Sequence, residues 1–242
     1  GLVALNGKAL SKSAVKVSEG DVLTVLGNDL PYVSRGGLKL EKALDSFGVC
    51  PEGCVCMDIG ASTGGFTDVL LQNGAAKVYA IDVGAGQLSP RLADDARVVS
   101  MEHTNARALD ISLFRERPQL AVMDVSFISI AHILPAAFQV LGPEGRLISL
   151  IKPQFEAGPK NIGKKGIVSD PKVHQDVLKQ IVRFTQTLGW RVHRLDFSPI
   201  AGTSGNLEFL GDFLPAQRCE GQKIDDETIR ALVRTAHRTL AR

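Results

Sequence analysis

From residue 36 onward the chain alternates short apolar runs with stretches of helical periodicity, and no other feature constrains the fold as much. Val55 to Ile59, Val78 to Ile81, Arg97 to Ser100, Leu120 to Met123 and Arg146 to Ile151 have the length and boundaries of strands. Leu38, Leu40, Ala43, Leu44 and Phe47 recur at helical spacing. Phe66 to Gln72 sits in a helix, and Ile130 to Val140 reads as helical despite Pro135. Pro171, after Asp170, opens a long helix to about Leu188. Arg191 to Phe197 and Leu207 to Phe213 read as two closing strands. Asp225 to Arg242 is a terminal helix with acids at its start and arginines at its end, as the helix dipole prefers. Repeated β–α units predict an α/β domain built on a largely parallel, doubly wound sheet. Ligands of such sheets bind beyond the carboxyl ends of the strands. Lys152 to Ser169, rich in Gly, Pro and Lys, reads as one long functional loop.

Residues 1–30 differ in character. Val3-Ala4-Leu5 runs into Asn6-Gly7, a hairpin signal, and Gly20-Asp21 precedes the β-rich run Val22 to Leu26. A total of 242 residues suits one main domain with a small appendage. The expected division is a small domain over 1–30, a linker over 31–35 around Pro31, and the main domain over 36–242. The chain opens on Gly1 rather than Met, so upstream residues are expected. A net charge of only +2 gives no broad basic field, and a nucleic-acid binder of this kind must concentrate its basic residues locally. Cys50, Cys54, Cys56 and Cys219 lack the second CxxC of a zinc site and read as reduced thiols of a cytoplasmic protein. There is no signal peptide, and Leu147 to Ile151 falls far short of the ~20 residues of a spanning helix. No strongly amphipathic basic helix is read from the sequence. Aromatic residues are 5% of the chain, which predicts no stacking platform for single-stranded RNA.

Asp58-Ile59-Gly60-Ala61-Ser62-Thr63-Gly64-Gly65-Phe66 follows a strand and opens a helix. Glycine there permits a tight turn and close approach to a ligand. The dinucleotide pattern GxGxxG fails at Ser62, which disfavours an NAD-dependent enzyme. The phosphate loop fails because Phe66 stands where its lysine must be. A third pattern, an acid followed by a glycine-rich turn, is that of methyltransferases, and Asp58-x-Gly60 with Gly64 and Gly65 fits it. Asp82 ends the next strand about 20 residues further on, the position of an acid on ribose hydroxyls. S-adenosylmethionine has a ribose and no phosphate, consistent with the missing lysine. Glu102-His103-Thr104-Asn105 follows the third strand, and Asn105 is placed to bond the adenine edge.

The glycine loop combines with Ser34-Arg35-Gly36-Gly37-Leu38-Lys39-Leu40, Asp124-Val125-Ser126-Phe127-Ile128-Ser129, Ile151-Lys152-Pro153-Gln154-Phe155-Glu156 and Gly205-Asn206-Leu207-Glu208-Phe209. In this order the set resembles the TlyA family, once labelled haemolysins and similar to the FtsJ-type RNA 2′-O-methyltransferases. The resemblance covers essentially the whole chain. It implies a Rossmann-like S-adenosylmethionine-dependent methyltransferase fold joined to a small N-terminal α+β RNA-binding domain of a ribosomal-protein type. Residues 3–7 and 20–23 look like the second half of that domain, whose first helices are not in this sequence. The family's Lys-Asp-Lys-Glu tetrad falls on Lys39, Asp124, Lys152 and Glu208, and its targets imply cytidines of small- and large-subunit ribosomal RNA.

The chemistry is consistent with those residue types. A ribose 2′-hydroxyl is a poor nucleophile that needs positioning and deprotonation. A lysine can take a proton only if its charged form is disfavoured, as burial or a second cation does, and Lys39 is suited to act so on Lys152. Asp124 and Glu208 can orient the amines. The expected donor site is Asp58, Gly60, Ala61, Ser62, Thr63, Gly64, Gly65, Phe66, Asp82, Asn105 and Asp124. Arg35, Lys160, Lys164 and Lys165 are expected to meet RNA phosphates. No metal site is expected. A non-catalytic RNA-binding protein of the same fold and a membrane-active haemolysin are the rival readings. Retention of all four tetrad residues argues against the first, and the lack of a spanning or amphipathic basic segment against the second.

Overall fold

The computed structural model describes residues 3–10, 14–26, 30–219 and 223–240. In chain order its elements are β1 (Val3–Leu5), β2 (Lys8–Ala9), β3 (Leu23–Val25), α1 (Gly37–Phe47), β4 (Val55–Ile59), α2 (Gly65–Gln72), β5 (Lys77–Ile81), α3 (Pro90–Ala93), β6 (Val98–Met101), β7 (Leu120–Met123), α4 (Leu134–Leu141), β8 (Arg146–Ile151), α5 (Pro153–Glu156), α6 (Pro171–Thr187), β9 (Trp190–Phe197), β10 (Phe209–Pro215) and α7 (Asp226–Leu240). The chain divides into two units, residues 1–31 and 32–242. In the first, β1 pairs antiparallel with both β2 and β3. Asn6 and Gly7 both take positive φ at the β1–β2 turn, the twist that a two-residue hairpin needs. The described part of the 1–30 segment thus forms a small sheet, and residues 1–2, 11–13 and 27–29 lie outside the described residues.

The second unit is a seven-stranded sheet in the order β6-β5-β4-β7-β8-β10-β9. The first five strands are parallel, and β10 runs antiparallel to both β8 and β9. Alternate strand residues face opposite ways. Cys56 and Val78 pack with Leu40, Phe66 and Leu70 of α1 and α2 on one face. Met57 and Ile81 pack with Leu134, Leu178 and Val233 of α4, α6 and α7 on the other. This is the doubly wound arrangement that the β–α alternation predicts. The order reverses between β4 and β7, so a crevice opens at their carboxyl ends.

Four expectations are corrected. Ile130 to Val140 is not one helix: a 3₁₀ turn at Ile130–His132 precedes α4, where Pro135 sits in the first turn, the one place where its missing N–H costs nothing. Lys152 to Ser169 is not one loop, since α5 and a 3₁₀ turn at Pro159–Asn161 occupy its first half. Glu208 is not inside a strand: β10 starts one residue later, at Phe209. The chain does contain an amphipathic basic helix, α7, whose apolar residues Ile229, Val233 and Ala236 are buried in the core. Residues 241–242, counted in that helix from the sequence, lie outside the described residues. Among the described residues no helix is long and apolar enough to cross a membrane, and no cluster of three or more His, Cys, Asp or Glu could hold a metal ion.

Candidate active site

Four acidic or basic residues mark the carboxyl edge of the parallel strands: Asp58 in β4, Asp82 just after β5, Asp124 just after β7 and Lys152 just after β8. The fifth charged group arrives from the other direction. Because β10 is antiparallel and Phe209 pairs with Ile151, Glu208 enters the sheet level with Lys152. A strand that runs backwards begins where its neighbours end, so its first residues belong to the active edge.

The glycine loop turns at that edge. Gly60 has φ +85, and a Cβ there would stand 2.7 Å from the Asp124 carbonyl oxygen, a backbone atom that cannot move aside. Ser62, the residue that breaks the dinucleotide pattern, takes a left-handed backbone (φ 48). Its N–H donates to Asp82 Oδ2 at 2.8 Å, and Gly84 N–H donates to Asp82 Oδ1 at 2.8 Å. Each oxygen keeps acceptor capacity for a ribose hydroxyl. Gly64 is a packing glycine, since a Cβ there would strike Leu92 at 2.3 Å. Asp58 is fully buried beneath the loop. Thr67 Oγ1 of α2 donates to its Oδ2 at 2.7 Å, and burial pushes its pKa up to about 7.

Two cavities meet here. The larger, about 1080 Å³, is lined by Gly60, Ser62, Asp82, Val83, Asn105 and Ile133 among others. It has the character of a nucleoside pocket: a carboxylate at one wall, apolar side chains for a ring, and a turn that lets backbone approach. Asn105 lines it, while its side chain caps a short turn by accepting from Arg107 N–H at 3.1 Å. The smaller, about 490 Å³, is a polar cleft that holds Lys39, Asp124, Lys152 and Glu208 together, with Arg35 at its rim. Ala61, Thr63, Gly65 and Phe66 line this cleft rather than the nucleoside pocket; Asp58 and Gly64 line neither. Lys160, Lys164 and Lys165 are exposed and also line neither. Gly60, Ser62, Asp124, Ser126, Phe127, Gln154 and Phe155 belong to both cavities, so Asp124 stands at the junction.

Inside the cleft the tetrad is arranged as two ion pairs. Lys39 Nζ lies 2.6 Å from Glu208 Oε2, with both residues buried. Lys152 Nζ lies 2.6 Å from Asp124 Oδ1 and donates to Ser126 Oγ at 2.9 Å. Lys39 thus has a carboxylate of its own in Glu208, as Lys152 has in Asp124. Phe127 overturns the expectation that no aromatic stands ready to stack. It is 91% exposed, holds a left-handed backbone (φ 65), and leans on Phe155 with ring centroids 5.2 Å apart at the mouth of both cavities. The sequence offered Phe127 within a quoted motif, but exposure was not readable from it. Ser126 and the half-buried Gln154 join the site only through the fold, since a serine and a glutamine beside a strand end carry no signal of their own.

A doubly wound domain whose nucleoside pocket opens directly onto a cleft of paired lysines and carboxylates is a group-transfer enzyme of the nucleoside-cofactor class. The FtsJ-like methyltransferase family model matches residues 32–211. Over 242 residues the chain is 50% identical to the Bacillus subtilis protein named "Putative rRNA methyltransferase YqxC", covering 99% of this chain and 86% of that one. It is 43% identical over 211 residues to the 16S/23S rRNA (cytidine-2'-O)-methyltransferase TlyA of Mycobacterium tuberculosis, covering 87% of this chain and 79% of that one. A solved structure described as "Putative hemolysin from Streptococcus thermophilus" superposes with a TM-score of 0.88 at 45% identity, covering 100% of this chain and 88% of that one. The chain belongs to the FtsJ-like methyltransferase family.

Proposed function

We propose that this protein transfers a methyl group from S-adenosylmethionine to the ribose 2′-hydroxyl of a cytidine in small- and large-subunit ribosomal RNA. The observation that carries the reading is the junction at Asp124. A nucleoside pocket and a lysine–carboxylate cleft share that wall, with Lys152 lining the cleft alone. The substrate class is taken from the name of the Mycobacterium tuberculosis relative.

The pocket fits the donor: Asp82 offers acceptors for the ribose, Asn105 a polar edge for adenine, and Val83, 75% exposed within the lining, an apolar face. When bound, S-adenosylmethionine supplies a methyl group activated by its sulfonium charge. The residues of this chain do the rest by alignment. Lys152, held by Asp124 and Ser126, positions the 2′-hydroxyl and, having first released its own ammonium proton to solvent, takes up the hydroxyl proton as methyl transfer occurs. Lys39 and Glu208 brace the opposite wall. Phe127, exposed at the mouth, presents a ring face on which a base of the RNA can stack. Arg35, Lys160, Lys164 and Lys165 meet phosphates, residues 1–30 belong to an RNA-binding domain, and residues 36–242 form the catalytic domain. A ribosomal substrate favours a cytoplasmic location. A membrane-lytic role is disfavoured because the apolar face of α7 is already committed to the core.

The test is Lys152→Ala in single-turnover methylation of ribosomal subunits at saturating donor. Loss of a general base costs roughly 100- to 10,000-fold in rate. Donor affinity should stay near wild type, because Lys152 does not line the donor pocket. Lys152→Arg should fail too, since a guanidinium stays protonated. Turnover near wild type in the alanine variant refutes the role of Lys152.

A further inference from the structure

The C-terminal helix carries a charge pattern that its role in folding does not require. Ile229, Val233 and Ala236 of α7 face the core, and away from it Arg230, Arg234 and Arg238 recur at every fourth residue, all exposed. Successive arginines are about 6 Å apart along the axis. Thr228 to Leu240 contains no carboxylate. Among the described residues, no ion pair involves these three guanidiniums; the pair that α7 does make, Asp226 to Lys179 at 2.6 Å, lies in its first turn. The helix dipole favours cations only in the last turn, which accounts for Arg238 but not for Arg230 or Arg234. A surface serving solubility alone mixes both signs.

The helix also leads to the active site. Asp226 meets α6 at Lys179, whereas His237 meets it at His174, near the start of α6, with Nε2 and Nδ1 2.9 Å apart. His174 Nε2–H donates to the Val168 carbonyl at 3.1 Å, and Val168 N–H donates to Asn206 Oδ1 at 2.9 Å. Asn206 and Gly166 line the cleft. The last turn of the arginine-bearing helix is therefore tied to the cleft lining through this chain of hydrogen bonds, and the exposed Lys164 and Lys165 directly precede Gly166 in the sequence.

We propose that Arg230, Arg234 and Arg238 form a rail for the sugar–phosphate backbone of the RNA substrate, continued by Lys164 and Lys165 to the cleft. The proposal rests on the RNA reading above. Its chemistry is charge alone, because the apolar side of the helix is buried.

The experiment compares the full chain with its R230Q/R234Q/R238Q variant in binding to ribosomal RNA over a range of salt. Each phosphate contact contributes about 0.7–0.9 to the slope of log K against log salt, so the variant should lose about 2–3 from that slope. Its KM for ribosomal subunits should rise, with donor affinity and single-turnover rate at saturating RNA unchanged. R230K/R234K/R238K should keep the slope. Should the glutamine variant melt early, Arg234→Gln alone, with an expected slope loss just under 1, decides the matter. An unchanged slope and KM in an otherwise active enzyme refutes the rail alone. Loss of binding to vesicles of anionic lipid, with RNA binding intact, refutes it in favour of a membrane surface. A wild-type chain that neither binds nor methylates ribosomal RNA refutes the parent reading and the rail with it.

Discussion

Replacing Lys39 by methionine should unfold this protein more readily than any chemistry-only role for Lys39 would allow. Lys39 is 6% exposed and Glu208 3%, and their ion pair is 2.6 Å long. Methionine nearly matches the lysine stem in volume, so the change leaves no cavity; it leaves a buried carboxylate without its cation. Breaking such a pair from one side costs about 3–5 kcal/mol. For a domain of this size each kcal/mol moves the melting temperature by about 2–4 °C, so Lys39→Met should lower it by roughly 10 °C. Glu208→Leu should cost less, because Lys39 lines the cleft and its flexible stem can carry the ammonium to water. The double variant Lys39→Met/Glu208→Leu removes both charges and should return to within about 1 kcal/mol of wild type. Denaturant unfolding of the four proteins closes the cycle, with methylation measured in parallel. All three variants should lose activity, since both residues line the acceptor cleft. A Lys39→Met variant that unfolds with wild-type stability, or a double variant no better than Lys39→Met, would show that the pair is not a buried unit and would refute the reasoning.

Two further outcomes follow from the geometry. Gly60→Ala should cost roughly 1–3 kcal/mol in backbone strain, besides the clash with the Asp124 carbonyl. Calorimetry should find S-adenosylmethionine affinity reduced at least tenfold, and unchanged affinity and melting would contradict the close approach. Burial and the neighbouring His237 hold the pKa of His174 down to about 4 from 6.5, opposed by the hydrogen bond to the Val168 carbonyl and then by Asp170. Its Nε2–H is committed to the Val168 carbonyl, so Nδ1 accepts from His237 and must stay unprotonated. Between pH 6.5 and about 4 the unfolded chain binds the extra proton, so stability is present above that window and is lost as the pH falls through it. The full loss is about 3 kcal/mol. A melting temperature of wild type that falls no faster than that of His174→Asn over this range would count against the pairing.

The strands, the glycine turn and the charged residues at strand ends are legible in the order of the amino acids, because those are local matters. Asp82, Asp124 and Lys152 each directly follow an apolar run, and any parallel sheet places such residues on one edge. Hydrophobic period alone therefore located three of the site's charges. Which of them meet depends on how the strands pack. Lys39 and Glu208 are 169 positions apart. Their pairing depends on β10 running against β8, so that Glu208 arrives at the edge where its parallel neighbours end. Strand direction is a property of the sheet, not of a seven-residue run. Exposure is equally non-local. Phe127 looks like core from its type, yet its left-handed backbone turns it out at the mouth of both cavities. In α7 the alternation of arginines and aliphatics is written in the sequence, but only packing against α6 and β9 shows that the apolar side is spent and that the arginines are left exposed.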